Sequence, residues 1–276
     1  TNAYNVAVGK DAGTAVTTGV QNTFVGGLAG DALNTSSYNT AAGYYALSSD
    51  TKGERSTAFG HEALATQNFT SQTVTGNTAL GFQAGRLITT GASNTLVGAE
   101  TGDQITTGAN NTAVGTSALG ANTTASGNTA VGFSALTANT TGGSNTAVGN
   151  VTLDANTTGS MNTAVGEGAL TQMTTGNRNT GIGLNAGQAV TTAAFNTFVG
   201  SAAAGGSTAI TGNDNVAVGS WHDGVIEGPL GALSSGSSNI AMGNGALRAL
   251  TTGIQNVAVG HGCNNNNISG DTNTFI

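Results

Sequence analysis

The chain contains little of several residue types that most soluble proteins use freely. Only 7% of its residues are charged and 5% are aromatic, and its 276 residues include one proline, one tryptophan and one cysteine. Soluble globular domains typically carry about 25% charged residues. A single cysteine excludes an internal disulfide. The lack of any apolar run of about 18 residues excludes a membrane-spanning helix, so we expect no membrane insertion.

Basic residues are especially scarce. Six Lys and Arg stand against thirteen Asp and Glu, which gives a formal net charge of −7. Six scattered cations cannot form the basic stripe that displaces counterions from nucleic acid. We therefore expect no nucleic-acid partner.

Repetition dominates what is present. The pentapeptide Asn-(Thr/Val/Ile)-x-apolar-Gly returns along the whole chain, and its sixteen anchors define fifteen intervals, of which twelve share one seventeen-residue length. Ser56 is the only anchor that is not asparagine. We number the positions of each unit from the anchor as position 1. The predicted column of stacked asparagines is Asn5, Asn22, Asn39, Asn77, Asn94, Asn111, Asn128, Asn145, Asn162, Asn179, Asn196, Asn215, Asn239, Asn256 and Asn273.

Within a unit the apolar pattern has a period of two, which is typical of a strand. Each unit predicts two short strands and two turns, the content of one solenoid coil. The predicted fold class is all-β, a parallel β-solenoid (β-roll) of about fifteen 17-residue coils stacked about 4.7–4.9 Å apart. Position 4 is apolar in all sixteen units. The pattern therefore favours positions 2 and 4 facing the core and positions 1, 3 and 5 facing away.

The domain prediction is a single repeat array over residues 1–276, interpreted as a segment of a longer fibre. The irregular coils are 56–76, 196–214 and 215–238. Each coil offers few large apolar side chains, so the core of one chain is thin. Three chains sharing one apolar axis would bury more surface, which favours an intertwined homotrimer. A monomeric solenoid is the alternative.

No catalytic constellation, metal site or cofactor motif emerges, and no enzyme activity is expected. His61 and His261 occupy the same coil position but lie eleven units apart, which argues against a shared metal within one chain. The 24-residue unit contains the only tryptophan and proline. Its candidate binding residues, for a glycan or another partner, are Trp221, His222, Asp223 and Glu227. The alternative is a purely structural insertion, such as a bend or a cover over the neighbouring chain.

Position 17 suggests a second contact surface. It varies from unit to unit and is occupied several times by a large residue, and variability suggests exposure. The large examples are Tyr4, Tyr38, Met161, Arg178 and Phe195. The alternative is a scatter of ordinary surface residues, which needs no functional explanation.

The stretch "NTAVGFSALTANTTGGSNTAVG" (128–149) resembles the seventeen-residue repeat of phage tail-fibre and bacterial surface proteins. It is also similar to the head repeats of trimeric autotransporter adhesins, whose shorter Asn-Ser-Val-Ala-Ile-Gly motif builds a left-handed parallel β-roll from three chains. The resemblance extends from Asn5 to Ile276. It implies a left-handed, homotrimeric, extracellular assembly.

Three functions follow from the repeat and the resemblance. The first is a structural fibre protein, the elongated shaft or distal part of a virion tail fibre, serving host attachment. The second is a bacterial cell-surface adhesin or extracellular matrix filament of the same architecture, and a cell-surface glycan or receptor is a partner in either case. The third, a remote alternative, is an ice-binding solenoid. Ice binding requires an exposed threonine array, whereas the threonine of position 2 is expected to point inward.

Overall fold

The computed structural model describes residues 3–206, 208–220 and 228–276. All regular structure in these residues consists of short parallel strands, and they contain no helix. The fold is an all-β parallel β-solenoid of about fifteen coils, most of which have the seventeen-residue length. The predicted fold class is therefore confirmed.

The chain divides into two compact units, Thr1–Thr141 and Gly142–Ile276. The first unit contains β1 (Val6–Val8), β2 (Thr23–Val25), β3 (Thr40–Ala42), β4 (Gly53–Glu54), β5 (Thr57–Phe59), β6 (Thr73–Val74), β7 (Thr78–Leu80), β8 (Thr95–Val97), β9 (Thr112–Val114) and β10 (Thr129–Val131). The second contains β11 (Thr146–Val148), β12 (Thr163–Val165), β13 (Thr180–Ile182), β14 (Thr197–Val199), β15 (Val216–Val218), β16 (Ile240–Met242), β17 (Val257–Val259) and β18 (Thr274–Phe275).

Within each unit, the strand at positions 2–4 of one coil pairs with the same strand of the next coil. In the first unit Thr95, Leu96 and Val97 lie opposite Thr112, Ala113 and Val114. In the second unit β12 and β13 pair in the same register. Like positions therefore stack on like positions, and the longer coil at 56–76 adds only a separate pair, β4 with β6.

The prediction that positions 2 and 4 face the core is wrong. Ala113 at position 3 is completely buried, while Thr112 and Val114 on either side of it are exposed. The same pattern holds at Ala164, with Val165 exposed beside it. The apolar character of position 4 suggested burial, but the anchor asparagine at position 1 is buried. Because side chains alternate along a strand, position 3 is buried with the anchor, and positions 2 and 4 face outward.

A large residue at position 3 packs in the core against a glycine at position 9. Phe24 at position 3 is buried, and a Cβ added at Gly13 or Gly30, both at position 9, would lie 2.7 or 2.4 Å from its ring. Phe198 has the same relation to Gly187, at 2.6 Å. In other coils the arrangement is reversed, with alanine at position 3 and leucine at position 9. Interiors are close-packed, so the two positions compensate each other in volume.

The anchor asparagines form a hydrogen-bonded column inside each unit. In the second unit, Oδ1 of Asn162 accepts the backbone N–H of Asn179 at 2.9 Å and its Nδ2 at 3.2 Å. Nδ2 of Asn162 also donates to the Gly176 carbonyl at 2.9 Å, near the end of its own coil. Asn94 and Asn111 repeat the pattern in the first unit. Each asparagine thus joins two coils and closes one of them.

Ser56 interrupts this column, and a neighbouring side chain restores it. The backbone N–H of Ser56 still donates to Oδ1 of Asn39, at 2.8 Å. Buried Gln67 then supplies the missing amide, since its Oε1 accepts Nδ2 of Asn77 at 2.8 Å. Its Nε2 donates to Ser56 Oγ at 2.9 Å and to Asp50 Oδ2 at 2.6 Å. Every polar atom named here gains a partner, as burial requires.

Candidate functional site

The outward face of the sheet presents two parallel rows of side chains. Position 2 supplies mostly threonine and position 4 supplies an apolar residue in every unit, and neither position carries a charge anywhere in the chain. In the second unit Val165, Ile182 and Met242 are 37%, 40% and 43% exposed. Successive residues of each row stand one strand spacing apart, about 4.7–4.9 Å. The result is a regular, uncharged face that combines hydroxyls with apolar groups.

The threonine hydroxyls of this face are available to a partner. Those of Thr163, Thr180 and Thr197 make no hydrogen bond within the described residues. The threonines of position 13 differ, because their hydroxyls donate to a carbonyl of the next coil. Thr174, for example, donates to the Thr191 carbonyl at 3.2 Å. The position 13 row therefore stabilises the stack, whereas the hydroxyls of Thr163, Thr180 and Thr197 take no part in joining the coils.

The first unit carries an aromatic column at position 6, beside this face. Tyr44, His61 and Phe82 belong to three consecutive coils, and their ring centroids are 5.6 and 5.4 Å apart. Tyr45 meets Tyr44 edge to face at 4.5 Å. Tyr44 is 49% exposed and Phe82 is 46% exposed. Such contacts between rings are typically worth about 0.5–1.5 kcal/mol beyond area burial, so the column is a preformed, exposed surface.

A groove of about 290 Å³ lies next to the aromatic column. It is lined by Tyr45, Ser48, Ser49, Glu62, Ala65, Thr66, Arg86 and Leu87, which come from positions 7, 10 and 11 of three consecutive coils. Glu62 Oε2 accepts Nε2 of Gln83 at 2.7 Å. Arg86 Nη2 lies 3.7 Å from Asp103 Oδ2, which is longer than a hydrogen bond. The groove therefore holds one carboxylate and one guanidinium with unused hydrogen-bonding capacity.

The pKa of the Tyr44 hydroxyl lies above its ordinary value. Desolvation by the surrounding protein is the largest cause, followed by the charge and hydrogen bond of Tyr45 and the charge of Glu62. Tyr44 is therefore a neutral phenol across the physiological pH range. In that pH range the aromatic column offers a neutral hydroxyl and apolar ring surfaces, and Tyr44 carries no charge.

The remaining predicted sites are placed as follows. Trp221, His222, Asp223 and Glu227 lie outside the described residues. The large side chains at position 17 are exposed, and two of them form cation–π contacts along their row: Arg55 over Tyr38 at 5.7 Å and Arg178 over Phe195 at 5.3 Å. Stacking within the row explains these contacts without a binding partner.

Metal-site geometry is absent from the part of the chain that the structure describes, where no three His, Cys, Asp or Glu residues cluster. His61 stacks in the aromatic column, and His261 is exposed at the same coil position. In the described ranges no helix is long and apolar enough to cross a bilayer.

Sequence reasoning missed the aromatic column and the groove. The sequence did contain a signal for the column, since an aromatic ring or imidazole occupies position 6 in three consecutive coils. The groove gave no such signal, because its residues come from three coils and different positions. No protein-family model matches the chain, and no curated protein matches its sequence.

Proposed function

We propose that this chain is a structural fibre protein, the shaft or distal part of a virion tail fibre that serves host attachment and assembles as an extracellular homotrimer. The observation that carries the proposal is the outward row at position 4, which is apolar in every unit. A monomer would leave this row in water. The proposal assigns no catalytic role to the chain.

The composition of the row favours a protein partner. Valine is its usual residue, but Phe59 is 55% exposed, Leu80 is 45% exposed and Met242 is 43% exposed. The apolar character is constant while the shape varies. A neighbouring protein chain can adapt its side chains to such variation, and contiguous apolar surface on a soluble protein is typical of interaction sites. A second and third copy of this chain present the same uncharged face.

Sedimentation equilibrium tests the assembly. The expected result is a particle of three times the chain mass of 26.7 kDa. The double variant Val165→Lys/Ile182→Lys would place charges in the row and is expected to shift the particle toward a single chain, because an unpaired charge in an apolar interface is costly. The matched control is Thr158→Lys/Thr175→Lys, at exposed position 14. A wild-type particle with the mass of one chain at all concentrations would contradict the trimer.

The flanking sequence of the gene tests the virion assignment, which is supported by the resemblance of 128–149 to tail-fibre repeats. A collar-binding N-terminal segment and a C-terminal intramolecular chaperone are the expected findings. An outer-membrane anchor would favour the alternative, a bacterial cell-surface adhesin or extracellular filament of the same architecture.

One observation favours a second candidate, an ice-binding solenoid. The threonines of position 2 point outward, contrary to the sequence prediction, and between Thr146 and Thr197 they form an uninterrupted row beside an apolar row. Thermal hysteresis of the purified protein is the test. Ice binding predicts activity that is lost in Thr163→Lys/Thr180→Lys and kept in Thr158→Lys/Thr175→Lys. A homotrimer that covers this face and shows no hysteresis would exclude it.

A further inference from the structure

We propose that the groove beside the aromatic column of the first unit binds a neutral hexopyranose, such as a terminal sugar of a glycan. This site is formed by residues of a single chain at positions 7, 10 and 11, and it is separate from positions 2 and 4 of the outward sheet face. Its residues come from three stacked coils, so the site spans about 10 Å along the stack. The volume of about 290 Å³ lies just below the roughly 300–1,000 Å³ of drug-sized ligand pockets and suits a small ligand.

The groove combines an aromatic ring with apolar wall residues on which the C–H face of a sugar can pack. Tyr45 is 37% exposed and is held by its edge-to-face contact with Tyr44. Ala65 and Leu87 add apolar surface to the wall. Because Tyr45 is already positioned by Tyr44, little conformational entropy is lost when a ligand stacks on it.

The polar groups of the groove match hydroxyls rather than charges. Arg86 supplies donors, and its Nε is buried and has no hydrogen-bond partner in the described residues. Glu62 supplies acceptors, one of which is occupied by Gln83. A planar guanidinium and a planar carboxylate can each bind two adjacent hydroxyls. Their opposite charges lie in one groove. Glu62 would repel an acidic ligand and Arg86 would repel a basic one, whereas neither residue repels a neutral polyol.

Saturation-transfer NMR and calorimetry with methyl glycosides of glucose, galactose, mannose and N-acetylglucosamine test the assignment. At least one neutral sugar is expected to bind the wild-type protein and to bind more tightly than glucuronic acid or glucosamine. Tyr45→Asn is expected to abolish saturation transfer. Arg86→Gln is expected to weaken binding about tenfold, as for loss of a charged hydrogen bond.

Two matched controls separate recognition from folding. Tyr38 is also an exposed tyrosine at positive φ, 65° against 57° for Tyr45, and asparagine tolerates this conformation. Tyr38→Asn and Arg55→Gln are therefore expected to leave sugar binding unchanged. Absence of saturation transfer from every neutral sugar at 20 mM (about the weakest useful affinity) would overturn the proposal. So would tighter binding of a charged sugar, or equal losses in the controls and the groove variants.

Discussion

The coils at 39–93 of the first unit and those at 145–195 of the second unit use the same repeat in different ways. In the coils at 145–195 every anchor is asparagine, position 2 is threonine and position 4 is valine or isoleucine. In the first, the stretch contains a serine anchor, buried Asp50 and Gln67, and an outer surface with Tyr44 and Phe82. The core chemistry is nevertheless maintained, because Gln67 supplies the amide that Ser56 lacks.

This difference separates two requirements of the repeat. The inner column must offer a carbonyl and an amide between successive coils, and either an asparagine at position 1 or a glutamine elsewhere meets that requirement. The outer face has no such restriction. The first unit therefore acquires an aromatic column and a groove on the same scaffold, while the second keeps a uniform face suited to an extended contact.

The largest expected effect is the loss of a column asparagine from the regular coils. Asn179→Ala removes bonds to the Ala193 carbonyl at 2.8 Å and to the backbone N–H of Asn196 at 3.1 Å, all in a buried site. At about 1–3 kcal/mol for each unsatisfied group, we expect a loss of about 4 kcal/mol. Guanidinium unfolding measures it. The exposed variant Gln172→Ala should change stability by less than about 0.5 kcal/mol. Equal losses in Asn179→Ala and Gln172→Ala would contradict a stabilising role for the asparagine column.

Two glycines at positive φ provide a second contrast between the regions, Gly183 at position 5 of a regular coil and Gly76 at the last position of the irregular coil 56–76. Gly183 has φ +129°, and a Cβ there would lie 2.6 Å from the Gly200 carbonyl group. Gly76, in the irregular coil, has φ +59° and open space around it. We expect Gly183→Ala to cost about 3 kcal/mol and Gly76→Ala about 1 kcal/mol, measured by thermal unfolding. A larger loss at Gly76 would show that close stacking of the coils is not the constraint.

The repair at Ser56 is testable with a double-mutant cycle. Gln67→Leu removes the buried amide contacts and should cost about 2 kcal/mol. Leucine is itself a normal residue of that coil position, as at Leu33 and Leu250. Adding Ser56→Asn should return most of the loss, with a coupling energy of about 1–2 kcal/mol. Simple additivity of the two changes would mean that Gln67 does not replace the missing asparagine.

The smallest expected effect concerns pH and Asp31. Burial is the main cause of its raised pKa, a backbone hydrogen bond opposes the rise and Asp11 adds to it, and its Oδ1 is buried without a partner in the described residues. The folded state therefore prefers the protonated acid. Stability should rise as pH falls through the raised pKa and level off below the ordinary value.

Asp31→Asn should remove that acid-side gain and slightly stabilise the protein at pH 7, by less than about 0.5 kcal/mol. Asp154 occupies the same coil position in the second unit, where its Oδ1 accepts the Thr171 hydroxyl. Unfolding midpoints between pH 3 and 7 measure the effect. An unchanged acid-side slope in Asp31→Asn would contradict the assignment.

The strands, their register and the position of the asparagines follow from the interval between repeated pentapeptides, because stacking like on like is the only arrangement that uses a strict repeat. The direction of the faces does not follow. Ala113 and Val114 are both apolar, and which of them is buried depends on the face that Asn111 occupies, since side chains alternate along a strand. Asn111 is buried because its amide joins neighbouring coils, which the apolar pattern alone does not reveal.

The groove could not be predicted from the sequence, because its residues occupy different coil positions. Glu62 stands at the same coil position as Tyr45 in the next coil, whereas Arg86 stands at a different position beyond the longer coil at 56–76. Their convergence depends on three turns stacking in space. The aromatic column could have been predicted from the sequence, since Tyr44, His61 and Phe82 all stand at position 6 of consecutive coils. A column of like residues leaves a trace in a repeat sequence, whereas a site made of unlike residues does not.

Scalar coupling across the hydrogen bonds of the column tests the central claim most directly. In protein labelled at asparagine, NMR should detect coupling between the backbone nitrogen of Asn179 and the side-chain carbonyl carbon of Asn162, which are joined by the 2.9 Å bond. The same coupling is expected for Asn94 and Asn111. None is expected from Ser56 to Asn77, because serine has no side-chain carbonyl. Absence of coupling in the Asn162–Asn179 and Asn94–Asn111 pairs would contradict the hydrogen-bonded column.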